Sequence, residues 1–315
     1  MPRIVVTRST LPEPALRALR DSGADVWVAP EDRALSSDEL HEAVAGADAV
    51  VTLLHDRVDE DMLSAAGEQL RVVANVAVGY DNVDLDAARR HGVVITNTPG
   101  VLTDATADLA FSLLLMITRR LGEGERRIRS GEPWAWSIDF MLGSGLHGKT
   151  LGIVGYGAIG RAVAARARAF GLEVVYTDPF PRSDPGRVED GELLESSHFI
   201  SLHCPLTPET RHLIDAAALA RMRDDAYLVN TARGPIVDEA ALAAALRDGT
   251  IAGAALDVFE HEPEVHPELV GLDNVVLMPH LGSATVETRI AMAELAAANV
   301  VAVLAGEDPQ TPVRT

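Results

Sequence analysis

From one end to the other, this chain alternates short β-branched runs with stretches rich in alanine and leucine at helical spacing. That alternation admits few folds, because parallel strands need a long crossover between them and a helix is the usual one. The runs predict strands at 4–7, 26–28, 49–53, 72–75 and 93–96, with helices at 14–22, 37–45 and 84–91 between them. Gly23, Gly46 and Gly92 stand where helix C-caps are expected. A long helix is predicted over 103–120, with Thr103 or Asp104 as its N-cap. A less regular segment over 122–148 follows, carrying Trp134, Trp136 and Phe140. A second strand series is predicted at 151–154, 174–177, 199–202, 226–229, 252–256 and 275–277, and an alanine-rich helix over 286–304 comes last. That late helix can return to pack on the first series, which would make the first domain discontinuous. At 315 residues the chain is long enough for two domains.

Charge and cysteine content narrow the partners. A formal net charge of -20 argues against nucleic acid and against anionic membranes, both of which attract basic patches. An acidic substrate would need locally placed arginines. The single cysteine, Cys204, excludes an internal disulfide and fits a reducing compartment. Met1-Pro2-Arg3-Ile4 lacks the character of a secretion signal, and the most apolar stretch, 109–117, is about half the length of a membrane-spanning helix. A cytoplasmic protein is expected.

Four short motifs carry the chemistry: Gly155-Tyr156-Gly157-Ala158-Ile159-Gly160, Asn230-Thr231-Ala232-Arg233-Gly234, Glu260-His261-Glu262-Pro263 and Pro279-His280-Leu281-Gly282-Ser283-Ala284-Thr285. Gly155-x-Gly157-x-x-Gly160 follows a predicted strand and opens a helix, so Gly155, Gly157, Ala158, Ile159 and Gly160 are candidates to cradle a pyrophosphate at the helix N-terminus. The bland reading is a tight turn without a ligand. Asp178 ends the next strand, at the offset where a carboxylate binds ribose hydroxyls and repels a 2′-phosphate, which favours NAD over NADP. Its alternative is a strand-ending Asp-Pro turn, and nearby Arg182 keeps NADP open. Arg233 follows the strand-like Leu228-Val229-Asn230, where a guanidinium can hold a carboxylate in two parallel hydrogen bonds; an interdomain salt bridge is the rival. His203-Cys204-Pro205 follows another strand and is expected to shape the nicotinamide side of the crevice, with Cys204 packing rather than reacting. His280 also follows a strand. A lone histidine is more often structural, so the case rests on Glu262, a carboxylate able to orient the imidazole and favour its charged form. Glu260 and Glu264 are rival carboxylates expected in solvent, and the histidines 41, 91, 198 and 212 fall on predicted surface positions without ligand-like spacing, so no metal is expected. Together the motifs suit moving a hydride and a proton between a nicotinamide and a small hydroxy or keto acid.

These residues resemble the D-isomer-specific 2-hydroxyacid dehydrogenases over nearly the whole chain. The likeness extends to Val78-Gly79-Tyr80-Asp81-Asn82-Val83-Asp84, to Asn97-Thr98-Pro99-Gly100-Val101-Leu102-Thr103-Asp104 and to His147-Gly148-Lys149-Thr150-Leu151-Gly152-Ile153-Val154. It implies an α/β fold in which a Rossmann cofactor domain, 100–283, is inserted into a flavodoxin-like substrate domain, 1–99 and 284–315, usually as a homodimer. It implies catalytic roles for Arg233, Glu262 and His280, and a nicotinamide contact for Asp257. Further cofactor contacts are implied at Thr106, His203, Cys204, Pro205, Thr210, Thr231, Ala232 and Gly282. For the substrate it implies the backbone amides around Val78 and Gly79, with Leu54, Ser283, Arg233 and His280. Leu53, His55 and Phe140 are further candidates for the side-chain pocket.

Within the family the likeness is greatest to glyoxylate/hydroxypyruvate reductases, in which a tryptophan at the position of Trp136 reaches the partner subunit's active site. Many of those carry Ser-Arg or a similar pair for NADPH where Thr177-Asp178 stands here, so NADH is favoured and NADPH stays open. Val78 counts against phosphite dehydrogenases, which place a lysine there, and Glu262 against formate dehydrogenases, which have a neutral residue there. The alternatives are a D-3-phosphoglycerate or broad D-2-hydroxyacid dehydrogenase and, more remotely, a nucleotide-sensing corepressor-like binding protein. Closure of the two domains over the substrate is expected to exclude water.

Overall fold

The computed structural model describes residues 1–180 and 183–313, so Arg182 lies outside the described residues. The chain divides into two compact units, Met1–Leu102 with Ser283–Thr315, and Thr103–Gly282. The second is an insertion in the sequence of the first.

The first unit is built on the parallel strands β1 (Arg3–Val6), β2 (Asp25–Val28), β3 (Ala49–Thr52), β4 (Val72–Asn75) and β5 (Val94–Thr96). Their order, β2-β1-β3-β4-β5, is that of flavodoxin-like sheets. Every residue of β3 and β4 is buried, as expected of central strands covered on both faces by helices. The helix Val286–Ala305 packs on β3, β4 and the helix Glu13–Asp21, burying Met292, Ala293, Ala296, Ala297 and Val300. This helix is long and apolar enough, by length and composition, to cross a membrane, and 39% of its apolar window is buried inside the structure. After it the chain turns back along β5: buried Asn299 accepts from the Gln310 and Thr311 N–H groups at 2.8 and 3.2 Å, and Thr311 Oγ1 donates to Asn97 O at 2.6 Å.

The inserted unit is built on the parallel strands β6 (Thr150–Val154), β7 (Glu173–Thr177), β8 (Phe199–Leu202), β9 (Tyr227–Asn230), β10 (Gly253–Leu256) and β11 (Val275–Leu277). Their order is β11-β10-β9-β8-β6-β7, and a parallel bridge between Tyr176 and Arg187 extends the sheet one step past β7. With that bridge counted, the arrangement is the Rossmann one, its switch point between β6 and β8.

Two local expectations need correction. The helix predicted over 103–120 is Thr103–Thr118; Thr103 and Asp104 lie in its first turn rather than capping it, and Arg120 leaves the helix at φ 55°. The segment expected to be irregular from 122 begins as a helix, Leu121–Ser130. Gly122 and Gly124 weaken its intrinsic signal, and ion pairs Arg120–Glu123 and Glu125–Arg129 hold its exposed face. The helix Glu60–Ala66, capped by Asp59 accepting from Met62 N at 3.1 Å, also escaped the periodicity, being only two turns long.

Candidate active site

Strand register gathers the predicted residues. Val154, Leu202, Asn230, Leu256 and Leu277 lie on one row across β6, β8, β9, β10 and β11. The chain positions that follow them, Gly155, His203, Thr231, Asp257 and Met278, leave the sheet together at its C-terminal edge. This is the edge where open parallel sheets bind ligands.

At the β6 end, Gly155 has φ 91°, and a Cβ there would lie 2.5 Å from Cys204 N. A Cβ at Gly160 would lie 2.3 Å from Gly155 O, so helix Ala158–Ala169 needs that glycine to approach the turn. Gly157 is different: its φ is -75°, and a Cβ would meet nothing within 4 Å. Neither backbone nor packing demands glycine there, and the open space above the helix N-terminus suits a phosphate group. Ala158 and Ile159 form the first positions of that helix. Asp178 is buried; its Oδ2 accepts from Tyr156 N at 2.8 Å and its Oδ1 from Phe180 N at 2.9 Å. The same carboxylate thus braces the glycine turn and the strand-ending turn.

After β8, His203 Nε2 lies 2.8 Å from Ser201 Oγ, and burial pushes its pKa down to about 4. Burial also pushes the Cys204 thiol up to about 11, which fits packing rather than nucleophilic chemistry. The turn behind Pro205 is closed by Thr210, whose Oγ1 donates to Pro205 O at 2.7 Å and accepts from Thr207 N at 2.8 Å. After β9, Asn230 shapes the loop bearing Arg233: its Nδ2 donates to Arg233 O at 2.9 Å and its Oδ1 accepts from Ala232 N at 3.0 Å. Thr231 Oγ1 is buried without a hydrogen-bond partner among the described residues, a polar atom left for a ligand.

After β10 and β11 come the proton-handling groups. His280 Nδ1 lies 2.9 Å from Glu262 Oε2, while Glu262 Oε1 accepts from Phe259 N at 3.1 Å. The two side chains are 23% and 17% exposed, so the pair is shielded yet reachable. Asp257 holds the turn that bears the histidine: its carbonyl accepts from His280 N at 2.9 Å, and its carboxylate accepts from Leu281 N at 2.6 Å and Gly282 N at 2.8 Å. Burial raises the pKa of Asp257, the two N–H donors opposing that rise. Thr106 stands beside this turn, its methyl 3.6 Å from where a Gly282 Cβ would be. The Arg233 loop and the Glu262 loop touch directly, since a Cβ at Gly234 would fall 1.9 Å from Phe259 C.

Some expectations fall elsewhere. Glu260 is not a solvated rival of Glu262. Its side chain is 16% exposed, its Oε1 lies 2.6 Å from His212 Nε2, and its Oε2 accepts from Glu239 N at 3.2 Å. Glu264 is exposed as expected. Trp136 is 77% exposed and stands outside the row. In the first unit, Leu54 follows β3 while Val78 and Gly79 follow β4, all half-buried; Ser283 begins the chain's return to that unit. Asn230 and Gly234 had no assigned role, though both stand in the motif quoted for Arg233. Their work depends on loops brought together only by the fold.

The open space at Gly157, the unpartnered Thr231 hydroxyl and the row of loop residues fit a nicotinamide dinucleotide, a class of cofactor bound by dehydrogenases of this fold. Residues 111–282 match the family described as D-isomer specific 2-hydroxyacid dehydrogenase, NAD binding domain. The chain belongs to that family and is a 2-hydroxyacid dehydrogenase with a nicotinamide dinucleotide cofactor. A glyoxylate reductase of Thermococcus onnurineus is 47% identical to it, over 99% of this chain and 96% of the relative. A protein of known crystal structure from Thermus thermophilus superposes with a TM-score of 0.94 at 46% identity, covering 99% of this chain and 100% of that one. An NADPH-dependent glyoxylate/hydroxypyruvate reductase from Sinorhizobium meliloti, solved with NADP and malonate, gives a TM-score of 0.84 at 34% identity, covering 99% of this chain and 96% of that one.

Proposed function

We propose that this dehydrogenase reduces small 2-keto acids, glyoxylate or hydroxypyruvate foremost, to D-2-hydroxy acids with NADH as the reductant. The hydrogen bond between Glu262 and His280 carries the reading, because it turns an otherwise ordinary histidine into an oriented proton donor. When bound, the reduced nicotinamide supplies the hydride. Arg233 holds the substrate carboxylate and polarises the neighbouring carbonyl. His280, kept by Glu262 with Nδ1 engaged, donates a proton from Nε2 to the carbonyl oxygen as it becomes a hydroxyl. Arg233, Glu262 and His280 are the catalytic residues; Asp257 positions the histidine.

The glyoxylate reductase named among the relatives supports the substrate. Asp178 supports NADH, since a buried carboxylate at the ribose position repels a 2′-phosphate; the Sinorhizobium relative with NADP keeps NADPH in the comparison. We take residues 1–99 and 284–315 as the substrate domain and 100–283 as the cofactor domain. We take the working form as a cytoplasmic homodimer, whose second copy covers the exposed apolar side chains Leu121, Ile128, Trp134, Trp136, Ile138 and Leu142.

Oxidation of NADH and of NADPH against glyoxylate, hydroxypyruvate, pyruvate, phenylpyruvate and phosphohydroxypyruvate tests this. Fast turnover of the first two with NADH is expected. Preference for the phosphorylated acid would move the assignment to a D-3-phosphoglycerate dehydrogenase, and silence on all five would remove it. In His280→Ala, kcat should fall by roughly 10²–10⁴ while NADH binding survives.

A further inference from the structure

The substrate-domain strands present a second group of aligned residues. The parallel register of β4 and β5 pairs Ala74 with Thr96, so the following side chains, Asn75 and Asn97, stand side by side at the C-terminal edge of that sheet. Both face the loop that leaves β4. Ala77 O accepts from Thr98 N at 2.8 Å, Val78 O from Asn97 Nδ2 at 2.8 Å, and Gly79 O from Asn75 Nδ2 at 3.0 Å. Three consecutive carbonyls are thereby drawn back to the sheet edge.

In a trans planar peptide the carbonyl and the next N–H point in opposite directions. Drawing back the carbonyls of 77, 78 and 79 therefore turns the N–H groups of Val78, Gly79 and Tyr80 away from the sheet. Among the described residues none of these three N–H groups donates to a protein acceptor. Consecutive outward N–H groups form a site for an anion's oxygens, of most use where nearby acceptors are already satisfied.

Both asparagines are themselves fixed. Asn75 is fully buried, its Oδ1 accepting from Thr52 Oγ1 at 3.3 Å and from Asn82 Nδ2 at 3.4 Å, so Nδ2 is left to face Gly79 O. Asn82 in turn donates to Asp56 O at 2.8 Å, tying this loop to the one after β3. The backbone of Asn97 is gripped by Thr311, whose carbonyl accepts from Asn97 N at 3.3 Å and whose hydroxyl donates to Asn97 O at 2.6 Å.

We propose that Asn75 and Asn97 are positioning residues that orient the Val78, Gly79 and Tyr80 N–H groups to receive the substrate's carboxylate. The proposal rests on the keto-acid reading above. It adds what makes the loop an anion receptor, and it extends the receiving set to Tyr80 N.

The test compares wild type, Asn97→Ala and Asn97→Asp with glyoxylate and with glycolaldehyde, an aldehyde of similar size without a carboxylate. Asn97→Ala removes the donor that holds Val78 O, and Asn97→Asp replaces it with an acceptor that repels this carbonyl. KM for glyoxylate should rise about tenfold in Asn97→Ala, the equivalent of one net hydrogen bond, and further in Asn97→Asp. Turnover of glycolaldehyde, NADH affinity and Tm should stay near wild type. Asn97→His, which keeps a donor at a similar reach, should restore much of the glyoxylate KM. Equal losses on glyoxylate and glycolaldehyde would mark a structural role and overturn the proposal, as would an unchanged glyoxylate KM in a folded Asn97→Asp. If Asn97→Asp does not fold, the Asn97→Ala ratio decides. Wild-type silence on every keto acid would instead sink the keto-acid reading and the proposal with it, an outcome visible before any variant is made.

Discussion

His280 adopts φ 54°, a left-handed conformation that non-glycine residues seldom take and that costs on the order of 1–3 kcal/mol. Asp257 accounts for its persistence, since one residue receives three consecutive N–H groups, those of His280, Leu281 and Gly282. A histidine held this way presents its ring at the sheet edge with little freedom to turn. His203, three strands away in the sheet, shows burial acting on a titratable ring. Its pKa is about 4 in the folded protein and about 6.5 in an unfolded chain. The unfolded state therefore takes up a proton that the folded state refuses, so stability is full above pH ~6.5 and is lost as pH falls toward ~4. His198 is lowered by burial too and acts in the same direction. Urea midpoints at pH 7 and pH 4.5 should show a loss in wild type that is smaller in His203→Asn. Equal losses would mean the His203 shift does not contribute.

Among the elements, the contact of two loops decides whether the site exists. Gly234 lies against the backbone of Phe259 and Glu260, closer than any side chain permits. Gly234→Ala must push the Arg233 loop off the Glu262 loop. We expect kcat/KM to fall by at least about 10², the scale of a small misplacement of catalytic groups, with Tm lowered. Gly157→Ala is the control of opposite kind: with open space around it, Tm should hold while NADH affinity falls. A Gly234→Ala enzyme with normal kcat/KM would show that the two loops need not touch. Most strands were legible because β-branched runs announce themselves, and Arg233 and His280 because each closely follows such a run; Glu262 instead stands in the turn after β10, whose Gly-Ala-Ala-Leu carries no β-branched residue. Glu260 was misread for the reason Gly234 was overlooked. Its partners, His212 and Glu239, are 48 and 21 residues away, and no local pattern carries that pairing. The helix Leu121–Ser130 was hidden by its two glycines and sparse apolar residues, its support coming from ion pairs rather than from a buried stripe.

For the whole molecule, the exposed apolar side chains between Leu121 and Leu142 are the main departure from an ordinary surface. Trp134 and Phe140 stack at 6.2 Å, and Arg127 lies 5.6 Å from the Phe140 ring, so the segment is organised while its apolar side faces outward. Light scattering should give twice the 33.5 kDa of one chain, and Trp136→Arg with Ile138→Arg should shift it toward one. A single-chain mass for wild type would refute the dimer. The interrupted unit has a consequence for synthesis. Its sheet is complete once β5 has been made, but the helix that covers β3 and β4 is encoded after the whole inserted unit. On the ribosome the inserted unit has all of its own sequence before the older half of the chain has its last helix. The strands of the interrupted unit must therefore wait, with an apolar face uncovered, until Val286–Ala305 has been translated, and a chaperone that shields that face would serve this protein during elongation more than after release.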